Sequence, residues 1–423
     1  MSSRPLKLAA SAALLMSSSA VLAIPFGSFD TRSMAMGGAG VAVGSPDAAP
    51  LFNPALLSVA KDEDDFAMIL PTVGIRVADP SDLRSGIDTT QTALTNLDNA
   101  VTALNNTPTS GNATIVANNL HAVNVQLATL SNKPITADAG LATVIAVPSK
   151  KLGAAFFANG TVTAGGIFSY TDSATLTSLE NDATLCAADQ ITNATQCNNV
   201  KTFKTSTLTS GVHFKGVQLG EFGFALSHEF QIAEHSVAFG ITPKIVKAKL
   251  FDTVVLVNDS NQSNVTTSDN VADYSMFNFD LGVAKNYSNG WRTGFVIKNV
   301  IPQTLDFKRA QVATGEQLTL KPQARIGVSH ANSWSTVALD VDLTKNDPAG
   351  FEQSTQYVAL GGELNAWDWA QLRAGYRMDM VNSERSVASV GLGLSPFGVV
   401  HVDLAVAGNA NEIGASFQMG VHF

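Results

Sequence analysis

Apolar and polar residues alternate along most of this chain. The pattern is cleanest from Ile413 to Phe423, where Phe417, Met419, Val421 and Phe423 share one side and Ser416, Gln418, Gly420 and His422 the other. Successive side chains of an extended strand point to opposite faces, so this segment has one apolar and one polar surface. The same reading, cut at turn residues, predicts about fourteen strands. They fall at roughly 64–77, 136–147, 152–170, 211–230, 236–251, 272–286, 291–308, 317–331, 334–345, 354–366, 369–381, 386–396, 398–408 and 412–423. Region 203–230 admits either a long strand behind a loop or an extra hairpin.

The connections alternate in length. Those at 149–151, 231–235, 288–290, 332–333, 367–368 and 397–398 are short; those at 78–135, 171–210, 252–271, 309–316, 346–353 and 382–385 are longer. Trp291, Trp334, Trp367 and Trp369 all fall at short turns. An indole sits best where an apolar layer meets water, so these residues predict an aromatic girdle. The fold class expected is therefore an all-β membrane protein: a transmembrane antiparallel barrel of about fourteen strands, with short periplasmic turns, longer extracellular loops and both termini in the periplasm.

The faces follow residue by residue. Val337, Leu339, Val341 and Leu343 point to lipid, as do Leu372, Ala374, Tyr376, Met378 and Met380, and Phe222, Phe224 and Leu226. Facing inward are Arg325, Asp340, Asp342, Glu363, Gln371, Arg373, Arg377, Asp403 and Glu221. A charge on the lipid face costs up to about 2–4 kcal/mol at mid-bilayer, which puts these charges in the lumen. There they are expected to form a hydrated wall with loose pairing, rather than a dedicated site. The turn at Trp367-Asp368-Trp369 sets Glu363 opposite Arg373, an ion pair expected to contribute roughly 0–1 kcal/mol.

Composition sharpens this picture. Only 14% of residues are charged, against about 25% in ordinary soluble domains. Beyond the N-terminus there is no run of about 18 apolar residues such as a spanning helix needs. A closed barrel is the other way for a backbone to cross lipid with its polar groups paired. The net charge of -9 argues against nucleic acid as a partner. At the N-terminus, Arg4 and Lys7 precede the apolar run Leu8–Met16, and Val21-Leu22-Ala23 forms a small-residue cleavage site. Residues 1–23 thus read as a secretory signal peptide.

Three segments are not wall. Residues 24–63 are rich in Gly and Ala and too irregular for a strand. Gly37, Gly38 and Gly40 lack the following Gly-Lys-Ser/Thr and the basic residues of a phosphate loop. Close-packing glycines instead suit a plug lodged in the barrel, with Asn53-Pro54 turning the chain toward the wall. The insert 80–132 is helical by period, with stripes Leu83, Ile87, Leu94, Leu97, Val101, Leu104 and Val116, Leu120, Val123, Leu127, Leu130. Pro108 and Gly111 divide it into a helical hairpin whose stripes bury each other. In the loop 171–210, Cys186 and Cys197 are expected to form a disulfide, given an exported chain.

The stretch GGAGVA (Gly37–Ala42) and then APLFNPALLS (Ala49–Ser58) before the first strand resembles the N-terminal hatch of the FadL-type outer-membrane transporters. Val358–Met378, Gly391–Gly408 and Phe239–Lys244 resemble the barrel family known as conjugal transfer TraF proteins, not the thioredoxin-like protein of that name, since Cys186 and Cys197 make no C-x-x-C. The terminal strand ending in Phe resembles the assembly signal of bacterial outer-membrane barrels. The large insert departs from the transporter pattern. The first resemblance implies a passive conduit for small hydrophobic molecules, with ligand resting on plug residues Phe26, Phe29, Met34, Met36, Phe52, Asn53 and Pro54. The second implies a non-transporting envelope component of conjugal transfer or surface assembly, with the helical hairpin as its contact surface. The partners expected are outer-membrane lipid, the barrel assembly machinery, and either a hydrophobic small molecule or envelope proteins. No cofactor or metal is expected. No enzyme is expected either: the seven His are scattered, and the best acid–base pair, His401 and Asp403, has no positioned nucleophile.

Overall fold

In the computed structural model, which describes residues 29–59, 65–188, 194–258, 268–347, 349–351, 353–366, 369–396 and 398–422, fourteen antiparallel strands close into a barrel. The wall strands are β1 (Ala67–Ala78), β2 (Pro134–Val147), β3 (Gly153–Ser169), β4 (Gly211–Ile232), β5 (His235–Leu256), β6 (Val271–Asn286) and β7 (Trp291–Lys298). They continue, after a hairpin β8 (Gln303–Arg309) and β9 (Val312–Leu320), with β10 (Gln323–Ala331), β11 (Ser335–Asp342), β12 (Tyr357–Ala366), β13 (Ala370–Asp379), β14 (Val387–Leu394), β15 (Val400–Gly408) and β16 (Glu412–His422). Each wall strand pairs with its neighbour in sequence, except that β7 pairs with β10, and β1 closes on β16 from Ala67↔His422 to Ala78↔Glu412. Among the described residues, closure leaves the barrel wall without an edge strand. In β1 the register slips between Ile69 and Thr72. Pro71 cannot donate to the ladder, and the bulge there places Leu70 and Pro71 both outward.

The two faces sort as the alternation predicts. Phe224, Val337, Leu372 and Tyr376 are exposed on the outer surface, while Glu221, Asp340, Asp342 and Arg373 are buried inside. Trp291, Trp334 and Trp369 are exposed at the short-turn end; Trp367 and Asp368 lie outside the described residues, as do the signal peptide and Phe423. β4 and β5 run 22 residues each, whereas β7 and β10 to β16 have 8 to 11. About 9–11 residues suffice to cross a bilayer, so one side of the wall rises beyond it at the long-loop end. Region 203–230 contributes only one strand, β4, behind a short 3-10 turn at Thr205–Thr207.

Two expectations are corrected here. The strands expected at 291–308 and 317–331 are each broken. The wall stops at Lys298, Asn299 takes a left-handed φ of 55°, and Pro302 and Pro322 bracket a hairpin that leaves the wall. This hairpin folds back over the inner faces of β4 to β6, where Leu305, Phe307, Leu318 and Leu320 pack on Val217, Leu219, Val246 and Leu250. The period-two pattern continued through both breaks, because a hairpin covered on one side alternates like wall.

The second correction concerns the long loops. Helices Leu83–Asn106 and Ser110–Leu130 form as the apolar stripes require, but they do not bury only each other. Two more helices, Ser173–Ala188 and Ala194–Thr202, join them in one core with Phe168, Val212 and Val257 at the strand tops. The segment expected as loop thus carries two helices, and Leu176, Leu179, Ala183 and Cys186 at three- and four-residue steps form the buried stripe of the first. Cys186 and Cys197 are bonded to each other and tie the two added helices together.

Candidate functional site

Residues 29–59 lie within the barrel, at the half nearer the short turns. A short helix, Thr31–Ala35, is capped by Asp30, whose Oδ2 accepts the Ser33 N–H at 2.7 Å. Gly37 and Gly38, at φ 71° and 93°, then turn the chain along β12 and β13. Wall glycines let this backbone come close. A methyl group at Gly361 or Gly375 would collide with Met36 or Gly37, one at Gly294 with Val41, and one at Gly240 or Gly282 with Asn53 or Pro54. The Phe29 ring lies against Gly74 and Gly140 in the same way.

Charges fasten the segment to the wall at several points. Arg32 grips Glu363 with two N–H bonds of 2.8 Å and donates to the Val43 carbonyl at 2.7 Å. Glu363 also accepts from Arg373 at 2.7 Å, and Arg373 reaches Asp403. Asp340 accepts the Gly40 and Val41 N–H groups at 2.8 and 2.9 Å. Asp47 meets His401 at 3.4 Å. The loosely paired, hydrated wall expected of these charges is therefore not what the structure shows: Glu363 and Arg373 retain only 7% and 5% of side-chain exposure. The cross-strand pairing of Glu363 with Arg373 is present, yet its setting is a buried network. His401 and Asp403 do not act as a pair, since each bonds elsewhere.

Above the segment lies an inner cavity of about 150 Å³. Of the plug residues expected to meet ligand, Phe29, Met34 and Phe52 line it. Met36 does not: it is fully buried against the wall with Ala39, Ala338 and Ala359. Asn53 and Pro54 are structural as well, with the Asn53 amide donating to the carbonyls of Val41 and Val283 and its oxygen capping Ala55. Phe26 lies outside the described residues. Arg325 and Arg377 line the cavity, whereas Asp340, Asp342, Glu363, Arg373 and Asp403 do not.

Sequence reasoning named Arg377 but missed Arg76, Asp138 and Glu412 on the cavity's upper rim. Arg76 bonds Asp138 at 2.5 Å and Glu412 at 2.9 Å. Arg377 approaches the other Glu412 oxygen at 3.3 Å and stacks over Tyr357, 4.6 Å from its centroid. All three charged partners face inward by alternation, which was the available signal. A second, larger cavity of about 710 Å³ opens at the long-loop end among residues 78–81, 132–136, 382–386 and 409–412. Glu412 lines both cavities. Among the described residues no group of three metal-ligating side chains comes together.

Comparison with known proteins bears on the whole barrel. The profile of a family described as "F plasmid transfer operon, TraF, protein" matches residues 50–342. No match is found among curated protein sequences. Similar solved structures include the Ralstonia pickettii toluene transporter TbuX, at 13% identity and a TM-score of 0.51, covering 93% of this chain and 98% of that one. A Pseudomonas aeruginosa FadL homologue has 12% identity, a TM-score of 0.50 and coverage of 96% and 99%. A TodX deltaS2S3 mutant, a monoaromatic hydrocarbon channel, has 12% identity, a TM-score of 0.50 and coverage of 93% and 98%.

Proposed function

This chain belongs to the family described as F plasmid transfer operon TraF protein, and we propose that it is an outer-membrane conduit for small hydrophobic molecules with residues 29–59 as its plug. The observation that carries the reading is the pair of cavities. A wide mouth at the long-loop end and a small inner chamber share Glu412, and the chamber floor is made by Phe29, Met34 and Phe52 of the segment. Apolar floor residues beneath a polar mouth would draw a ligand inward by burial of its surface. The likeness in fold to a toluene transporter and a monoaromatic hydrocarbon channel supports this reading. On this reading the chain sits in the bacterial outer membrane, inserted through the barrel assembly machinery, with lipid around Leu339 and Leu372 and no reaction catalysed.

A second reading is favoured by the fastening of the segment. A plug held by a buried ion network and backed by glycines resists displacement, as suits a filled envelope component whose helical cap meets other proteins. The two separate in cells. Those producing the protein should take up a toluene-sized hydrophobic probe faster than cells without it. Removal of residues 26–50 should leave an assembled barrel that leaks small solutes. Equal uptake with and without the protein, and unchanged permeability after the deletion, would discard the conduit in favour of the filled component.

A further inference from the structure

The inner cavity has the size for one aromatic ring, since a cavity of about 150 Å³ accepts benzene. Its lining, although mostly apolar, also carries charge. Three arginines, Arg76, Arg325 and Arg377, and two carboxylates, Asp138 and Glu412, are among the residues that line it. A ligand without polar atoms would strip water from these groups and return no bond. Two of the arginines are already held. Arg76 has Asp138 and Glu412, and Arg325 has Asp342 at 2.5 Å and the Gly38 carbonyl.

Arg377 differs. It has one 3.3 Å contact with Glu412, the face of Tyr357 beneath it, a buried Nε with no partner, and 27% of its side chain still accessible. A guanidinium carries five donors in a fork that matches a carboxylate. Glu412 would lose little if displaced from Arg377, because Arg76 holds its other oxygen at 2.9 Å. Glu412 also lines the mouth cavity, so an entering anion meets this exchange on its way in.

We propose that the inner cavity binds a single-ring aromatic carboxylate, its carboxylate taken by Arg377 and its ring flanked by Phe29, Met34 and Tyr357. The proposal rests on the conduit reading only for the route by which ligand arrives. The test is calorimetric titration of the detergent-purified protein with benzoate, benzyl alcohol and toluene, on the natural chain, R377Q and R377K. Heat-modifiable gel mobility reports that each variant is folded. Benzoate should bind the natural chain more tightly than benzyl alcohol, and R377Q should weaken benzoate by at least about tenfold, the scale of a charge-assisted bidentate contact. R377K should fall between, and benzyl alcohol should change little. Benzoate affinity indifferent to R377Q, or toluene bound more tightly than benzoate, would overturn the site. Cell uptake separates the two claims: toluene uptake without benzoate binding removes the site and keeps the conduit, and Arg377-dependent benzoate binding without uptake of either does the reverse.

Discussion

Replacing Glu363 by Gln should loosen residues 29–59 from the wall. Glu363 accepts from Arg32 twice and from Arg373 once, at 2.7 to 2.8 Å. An exposed ion pair contributes about 0–1 kcal/mol, whereas removing one partner of a buried pair costs about 3–5 kcal/mol because the other charge is stranded. Burial decides between them here, since Glu363 retains 7% of its side-chain exposure and Arg32 20%. Arg373 keeps Asp403, so the stranded charge is Arg32, left with the Val43 carbonyl. The lower end, about 3 kcal/mol, is the reasonable magnitude because Gln keeps one acceptor. It raises the population of the released segment by about two orders of magnitude, at 1.4 kcal/mol per tenfold. Ser33, which is 5% exposed, supplies the reporter as Ser33→Cys; the two native cysteines are bonded to each other and do not compete. Maleimide labelling in detergent should accelerate by about a hundredfold in Glu363→Gln if it tracks the opened population. Adding Arg32→Met should slow it again, because no buried charge is then stranded. Acceleration below about threefold would show that packing on the wall glycines, not the ion network, holds the segment.

Three further outcomes follow from the same geometry. Burial pushes the Asp30 carboxyl up from 3.8 to about 6, outweighing the Ser33 N–H that favours its anion, and Asp47 and Asp403 add to the rise. The folded state then holds the proton more tightly, so this contribution, up to about 3 kcal/mol, is full below pH 4 and lost as pH rises through 6; the melting temperature of Asp30→Asn should lack that decline between pH 4 and 6. Leu339→Arg and Leu372→Arg should reduce folding yield in lipid by the 2–4 kcal/mol scale of a lipid-facing charge and Gln371→Arg much less, but Asp342→Arg, mild on a hydrated wall, should be severe because Asp342 is 2% exposed and bonds Arg325 at 2.5 Å. Phe307→Ala should destabilise the barrel in urea by about 3–5 kcal/mol, as for a fully buried ring, while leaving benzoate affinity in the inner cavity within about twofold of the natural chain, given the additivity of separated sites.

The wall was legible because two solvents act on it. Lipid outside and polar groups inside force the period-two pattern at every strand, so Leu339, Asp340, Leu372 and Arg373 fall on the correct faces. What alternation cannot reveal is what an inward residue touches. Arg32 and Glu363 are separated by 331 positions, and nothing local marks them as partners; their pairing is a consequence of closure. Met34 and Met36 looked equivalent as apolar residues of the segment, but Met34 lines the cavity while Met36 caps the Thr31–Ala35 helix and is buried against β12 and β13. The hairpin β8–β9 did leave a trace. Val217, Leu219, Val246 and Leu250 are apolar at inward positions of tall strands, which a water-filled lumen would not require.

That trace bears on the route through the barrel. The lumen has two internal covers, fastened by different forces. The N-terminal segment is held by ion pairs and by backbone fitted to wall glycines. The hairpin is held by Leu305, Phe307, Leu318 and Leu320, all buried, and at roughly 1.5–3 kcal/mol for each side chain, lifting it off the wall costs on the order of 6–12 kcal/mol. Motion of that size is too rare to serve each passage of a ligand. The hairpin therefore acts as fixed filling on the β4–β6 side. Both cavities are lined from β1, β2, β3 and β16, and they meet at Glu412. On this argument the moving parts are small: the Arg76–Glu412–Arg377 contacts at the entrance to the chamber, and below it the ion network centred on Glu363. Both are electrostatic, but only the entrance contacts, where Arg377 is 27% exposed, are open to screening by salt, while the buried Glu363 network is screened little; higher ionic strength should therefore ease passage at the entrance, whereas a route that opened by lifting the hairpin would be slowed by the same salts that strengthen apolar burial.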